Sequence, residues 1–217
     1  MFDSFHSPAP ASLQTRAAVF LDKDGTLLDD VPYNVDPSRM RFAPGAADAL
    51  ALLARYPLRL IVVSNQGGVA LGRFPYAALD AVEARLREMF AQCGATLAGA
   101  YWCPHHPDGS VAPYACACEC RKPAPGMLLR AAREQRVELA SSWMVGDILN
   151  DVEAGNRAGC RTILVDCGNE TEWQAAPERV PYALVTNLRD AAQMIVETFE
   201  HEQQRRAPRP LSPAEAA

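Results

Sequence analysis

Two carboxylates one residue apart follow a short apolar run in Val19-Phe20-Leu21-Asp22-Lys23-Asp24-Gly25-Thr26. Carboxylates at the end of a buried segment are costly unless a cation pairs with them or they are put to work. At a strand tip, Asp22 can serve as nucleophile and metal ligand, and Asp24 can deliver a proton to a leaving group. Gly25 and Thr26 let the chain turn sharply. An Asp-rich turn is the plain alternative; the place after an apolar strand and before Gly-Thr is what argues for chemistry. In Ile61-Val62-Val63-Ser64-Asn65-Gln66-Gly67-Gly68, a hydroxyl at a strand end is followed by an amide pair and two glycines. Such a segment offers side-chain and backbone donors to an oxyanion, although a capped loop entering a helix reads the same way. Arg121-Lys122-Pro123 sets two cations before a Pro-x-Pro-Gly helix start, and Met144-Val145-Gly146-Asp147 with Asn150-Asp151 sets acids at another strand end.

Lys23 and Lys122 are the two lysines among 21 basic residues. The chain writes almost every other cation as Arg, so a lysine flags a place where a compact ammonium is wanted; for Lys23, chance is an adequate explanation. Four of the seven cysteines, Cys103, Cys116, Cys118 and Cys120, crowd beside His105 and His106. An odd count with local clustering fits a metal site better than a disulfide framework. Two short chelating pairs, Cys103-Pro104-His105 and Cys118-Glu119-Cys120, suit tetrahedral zinc with soft ligands. A metal there would pin a polar loop and place Arg121 and Lys122. No ligand position need stay open, so the zinc reads as structural. Cys116 could replace one of the pair cysteines, since Cys116-Ala117-Cys118 is equally spaced, and His106 could replace His105.

The elements that must position these residues alternate. Apolar runs at Ala17–Leu21, Leu58–Ser64, Gly99–Trp102, Trp143–Gly146 and Thr162–Val165, with a weaker one at Tyr182–Val185, read as strands buried on both faces. Between them, 46–55, 76–93, 126–136, 150–158 and 188–199 carry apolar residues at helical spacing. The pattern predicts one α/β domain over 16–200, a parallel sheet flanked by helices without a large cap domain, with loose segments at 1–15 and 201–217. The chemistry-bearing residues gather after strand ends, where open α/β sheets bind ligands.

The ordered set of strand-D-x-D-G-T, strand-Ser-Asn, Lys before a helix and strand-Gly-Asp-x-x-x-Asp resembles the haloacid dehalogenase (HAD) superfamily of phosphohydrolases, from about Val19 to Val165. The resemblance implies a Rossmann-like sheet, Mg²⁺ and a covalent aspartyl-phosphate. It makes Asp22 the nucleophile, Asp24 the general acid and then the base, and Ser64 and Lys122 the holders of the phosphoryl oxygens. Mg²⁺ would be bound by the Asp22 carboxylate, the Asp24 carbonyl and Asp147, with Asp151 in support. An anionic nucleophile meeting a phosphate dianion needs cations between them, and Mg²⁺ and Lys122 would supply these.

The string C-P-H-H-P-x-G … C-x-C-R-K-P-x-P-G-M-L narrows the resemblance to the heptose-1,7-bisphosphate 7-phosphatases, which serve lipopolysaccharide heptose supply; histidinol-phosphate phosphatases are their close relatives. It implies Cys103, His105, Cys118 and Cys120 as zinc ligands. Asp30, Tyr33, Ser64, Asn65, Gln66, Gly67 and Arg121 become substrate contacts. Leu71 and Ile148 depart from the family, which commonly has Arg and Lys there; Arg73 is a cation that could compensate. A phosphorylated sugar is therefore the expected substrate and histidinol phosphate the alternative. A zinc-stabilised binding protein on an inactive phosphatase fold is the competing class, but it would need neither Asp22 nor Asp24. The net charge of −5 is poor for nucleic-acid binding. No apolar run approaches the roughly 20 residues of a membrane span, and the first sixteen residues contain no signal-like block. The expectation is a cytoplasmic enzyme acting without nucleic acid or membrane, with a monomer favoured.

Overall fold

A computed structural model describes residues 17–206. Six strands, β1 (Ala18–Leu21), β2 (Arg59–Asn65), β3 (Leu97–Cys103), β4 (Trp143–Gly146), β5 (Arg161–Val165) and β6 (Ala183–Val185), form one sheet in the order β3-β2-β1-β4-β5-β6. Every pairing is parallel. The connecting helices are α1 (Ala46–Leu53), α2 (Ala78–Gln92), α3 (Gly126–Gln135), α4 (Leu149–Ala158) and α5 (Leu188–Arg206). This is the doubly wound α/β arrangement that the alternation predicts, with no second domain among the described residues.

The period-two alternation of strand side chains builds a core on each face. Val19 and Leu21, Leu60 and Val62, and Trp143 and Val145 point to the layer of α1, α2 and α5. Phe20, Ile61, Val63 and Met144 point to the layer of α3 and α4. Strands β1 and β4 are buried throughout, as continuous apolar runs require, while the edge strand β3 alternates buried and half-buried residues. The chain winds outward from β1 to β3, then returns across it to β4. Ligands bind at such a reversal, outside the carboxyl ends of the strands.

Helix α5 continues six residues past Glu200, where the sequence pattern places the end of the domain. The segment 201–206 lacks apolar spacing, but after His201 it consists of good helix formers, and it is tethered by an ion pair between Glu202 and Arg161. Residues 201–206 of the expected loose tail 201–217 are therefore helical; the rest of it, 207–217, and the expected loose segment 1–15 lie outside the described residues. No helix among the described residues is long and apolar enough to cross a membrane.

Candidate active site and cysteine cluster

The strand order brings Asp22 and Lys122 together across a hundred residues of chain. Asp22 extends β1 by one residue, its N–H donating to the Val145 carbonyl at 3.0 Å. The Lys122 ammonium makes an ion pair with Asp22, lies 2.5 Å from Asp151 Oδ1 and donates to the Val63 carbonyl at 3.1 Å. Asp147 follows β4, and Asp151 lies on the first turn of α4. One carboxylate oxygen from each of Asp22, Asp147 and Asp151 falls within 4.8 Å of the others, and all three residues are buried.

Two glycines make the approach possible. A Cβ at Gly146 would stand 2.2 Å from the Asp151 Cβ. Gly25 has φ +86°, and a Cβ there would stand 2.2 Å from Asp147 Oδ2. Gly25 therefore supplies both the left-handed backbone and the clearance for the third carboxylate.

Three carboxylates against one ammonium leave a deficit of positive charge. Burial pushes the Asp22 carboxyl well above its ordinary range; Lys122 opposes that, while Asp151, Asp147 and Asp24 add to it. Burial and then Asp151 raise Asp147, against hydrogen bonds from Asn169 and Thr26 that lower it. For Lys122, burial would lower the pKa, but Asp151 and Asp22 outweigh it and hold the ammonium firmly charged. Hard oxygen donors and a surplus of buried negative charge together fit a divalent cation such as Mg²⁺.

Asp24 lines an open cavity of about 320 Å³. Its carboxylate pairs with Lys23, which is buried and so has a role that its sequence context does not reveal. Its other oxygen accepts from Gln66 Nε2 at 3.1 Å, and the same nitrogen donates to Ser64 Oγ at 2.9 Å. Asp30, Tyr33, Gly67 and Arg121 line the cavity with Leu71 and His106. Gly67 leaves room for the Arg121 guanidinium, whose Nη1 would lie 3.1 Å from a Cβ there. The Arg73 guanidinium stacks 5.6 Å from the ring centroid of Tyr33, which lines the cavity. Ile148 is the N-cap residue of α4, beside Asp147.

Asn65 does something the sequence does not foretell. Its amide donates to the Lys122 carbonyl at 3.0 Å and accepts from the Lys122 N–H at 2.9 Å. Its side-chain amide is thus committed to protein backbone, although Asn65 still lines the cavity. Thr26 and Asn169 were also missed as site residues: they donate to the two Asp147 oxygens at 2.7 and 2.8 Å. Thr26 looked like part of a turn, and Asn169 was the polar residue after β5 that the strand-end rule could have found.

The cysteine loop closes in one register. Cys103, His105, Cys118 and Cys120 come together at the end of β3. Their ligand atoms lie 3.1 to 3.7 Å apart in the contacting pairs. A tetrahedron with metal–sulfur bonds of about 2.3 Å has edges of roughly 3.8 Å, so the cluster is slightly tighter than a zinc site and has its shape. Cys116 is exposed with its thiol toward the Pro113 carbonyl, and His106 Nδ1 instead accepts from the Asp108 N–H at 3.2 Å. Burial first, then Cys120, push the Cys103 thiol up. Three thiols and an imidazole turned on one another, Cys103 buried and the others half-buried, fit zinc.

A family model described as HAD-hydrolase-like matches residues 119–191. The chain is 40% identical over 170 residues to the D-glycero-beta-D-manno-heptose-1,7-bisphosphate 7-phosphatase of Yersinia pestis, covering 77% of this chain and 90% of that one. It is 37% identical over 179 residues to the enzyme of the same name from Escherichia coli K12, covering 82% and 93%. Among solved structures it is similar to the D,D-heptose 1,7-bisphosphate phosphatase of B. bronchiseptica complexed with magnesium and phosphate, with a TM-score of 0.72, 31% identity and coverage of 84% and 99%.

Proposed function

Since the chain belongs to the heptose-1,7-bisphosphate 7-phosphatase family of HAD-like hydrolases, we propose that it removes the 7-phosphate of D-glycero-D-manno-heptose 1,7-bisphosphate through a covalent intermediate on Asp22. The observation that carries this reading is the buried cluster of Asp22, Lys122, Asp147 and Asp151 beside Asp24, at the point where the winding of the sheet reverses.

Asp22 Oδ attacks phosphorus, and the bond between phosphorus and the C7 oxygen breaks. Asp24 gives its proton to that oxygen, so the sugar leaves as an alcohol. Asp24 then takes a proton from water, whose oxygen attacks the aspartyl-phosphate and releases inorganic phosphate and the Asp22 carboxylate. Lys122 and the Ser64 hydroxyl hold the phosphoryl oxygens through both steps. Asp22, the Asp24 carbonyl and Asp147, with Asp151 in support, would hold Mg²⁺, which would supply charge neutralisation between nucleophile and phosphate. Zinc on Cys103, His105, Cys118 and Cys120 is structural, fixing the loop that ends at Arg121 and Lys122.

The open cavity favours a sugar carrying a second anionic group. Arg121 lines it, and Arg73 stacks on Tyr33, which lines it too. Histidinol phosphate would bring an ammonium toward Arg121 and be repelled. The test is kcat/KM for the heptose bisphosphate against histidinol phosphate, with Mg²⁺ present. The heptose bisphosphate is expected to lead modestly, since Leu71 and Ile148 each lack a charged contact worth roughly 1.5–3 kcal/mol. A clear lead for histidinol phosphate would reverse the substrate assignment and leave the phosphatase chemistry standing.

A further inference from the structure

Gln66 follows the end of β2, where its position suggests a substrate contact, yet its side chain is 5% exposed. Its Nε2 donates to Asp24 Oδ2 at 3.1 Å and to Ser64 Oγ at 2.9 Å. A primary amide carries two N–H bonds, and both are engaged. The polar atom left over is a carbonyl oxygen, which repels a phosphoryl oxygen. Turning the amide over would set that carbonyl against the Asp24 carboxylate, so the nitrogen belongs on this side. Gln66 has no donor to offer a phosphate.

We infer that Gln66 is a positioning residue that holds the proton-transferring carboxyl of Asp24 and the hydroxyl of Ser64 in fixed relation to one another. The inference rests on the phosphatase reading above. A hydroxyl has one hydrogen and two acceptor lone pairs; accepting from Gln66 leaves the Ser64 hydrogen free to turn toward a phosphoryl oxygen. Asp24 is gripped at both oxygens, by Lys23 at Oδ1 and Gln66 at Oδ2. That fixes the plane of the carboxyl and hence the direction in which it delivers a proton. Gln66 is itself anchored, since its backbone N–H donates to the Cys103 carbonyl at 2.7 Å. The amide therefore ties the tips of β1, β2 and β3 into one unit.

The experiment compares two phosphate esters in the full-length protein and in Gln66→Glu and Gln66→Met. Both variants keep the length of the side chain; the first replaces the donors with acceptors and the second removes them. The heptose bisphosphate loses a sugar alkoxide, which needs a proton, whereas p-nitrophenyl phosphate loses a phenolate that does not. The readout is kcat/KM, which stops at the first irreversible step and excludes later hydrolysis of the aspartyl-phosphate. General-acid catalysis contributes about 10²–10⁴-fold, so losses on the order of a hundredfold are expected with the sugar ester. Losses of about tenfold or less are expected with the aryl ester. A merely structural role would lower both alike. An active wild-type protein with equal losses on the two esters, or no loss in either variant, overturns the inference alone. A wild-type protein inactive on both esters overturns the phosphatase reading and the inference with it.

Discussion

Magnesium should stabilise the folded protein measurably, because it relieves a charge imbalance that the fold itself creates. Asp22, Asp147 and Asp151 converge to within 4.8 Å with Lys122 as the cation facing them. A ligand that binds the native state at a hundredfold excess over its Kd stabilises it by about 2.7 kcal/mol. For a chain of this size, each kcal/mol moves Tm by about 2–4 °C, so saturating Mg²⁺ should raise Tm by roughly 5–11 °C. Asp147→Asn keeps the volume and removes one ligand charge, and should abolish most of that rise. The pH dependence has a defined sign. Asp22 and Asp147 have folded pKa values above their ordinary 3.8, so the native state binds their protons more tightly than the unfolded chain does. The magnesium-free protein should therefore lose stability as pH rises from about 4 through those raised values, and the increment from Mg²⁺ should be larger at neutral pH than at mildly acidic pH. Differential scanning calorimetry of protein dialysed free of Mg²⁺, titrated back at two pH values, measures both effects. An Asp147→Asn protein whose Tm rises with Mg²⁺ as much as the wild type would refute the assignment of the site.

Asp22→Asn removes the nucleophile and should abolish turnover with folding nearly intact, and Asp24→Asn should lower kcat by about 10²–10⁴-fold; phosphate release assays check both. Near wild-type activity in Asp22→Asn would show that the mechanism is not covalent through this residue. Elemental analysis of protein purified without chelator should find about one zinc per chain, retained in Cys116→Ser and lost in Cys120→Ser, with the Cys103–Lys122 loop destabilised when zinc is removed. Absence of zinc in the wild-type protein would sink that part of the reading.

Most of the scaffold was legible because buried parallel strands leave an unambiguous signature. Trp143–Gly146 was bounded correctly from its apolar run alone, and all six strands and five helices appear where the spacing puts them. The polar extension of α5 was not legible, since its support from Glu202 and Arg161 is tertiary. The same division holds at the site. Asp22, Lys122 and Asp147 announce themselves because ionisable residues at strand ends need a reason to be there. The secondary contacts do not: Lys23, Thr26 and Asn169 are ordinary residues whose partners come from the fold. The Cys116 and His106 alternatives stayed open because spacing alone allows either. The structure brings Cys118 and His105 into the cluster, while Cys116 lies exposed and His106 faces the cavity.

The placement of Lys122 shows how a long loop can supply a residue that must be rigid. The ammonium has to stay between Asp22 and Asp151 while the segment carrying it, Cys103 to Pro125, has little regular structure. Two devices act on its backbone from opposite sides. On one, Cys118 and Cys120 tie the loop to Cys103 and His105 at the tip of β3. On the other, the Asn65 amide takes both the N–H and the carbonyl of Lys122, leaving that backbone little freedom to rotate. The Val63 carbonyl then accepts from the ammonium itself, so β2 holds both ends of the residue. A lysine suits this arrangement better than an arginine, because three donors on a compact head can serve Asp22, Asp151 and Val63 at once, where a planar guanidinium fork would favour one carboxylate. That requirement gives a physical reason for one of the chain's two lysines in a sequence that otherwise writes its cations as arginine.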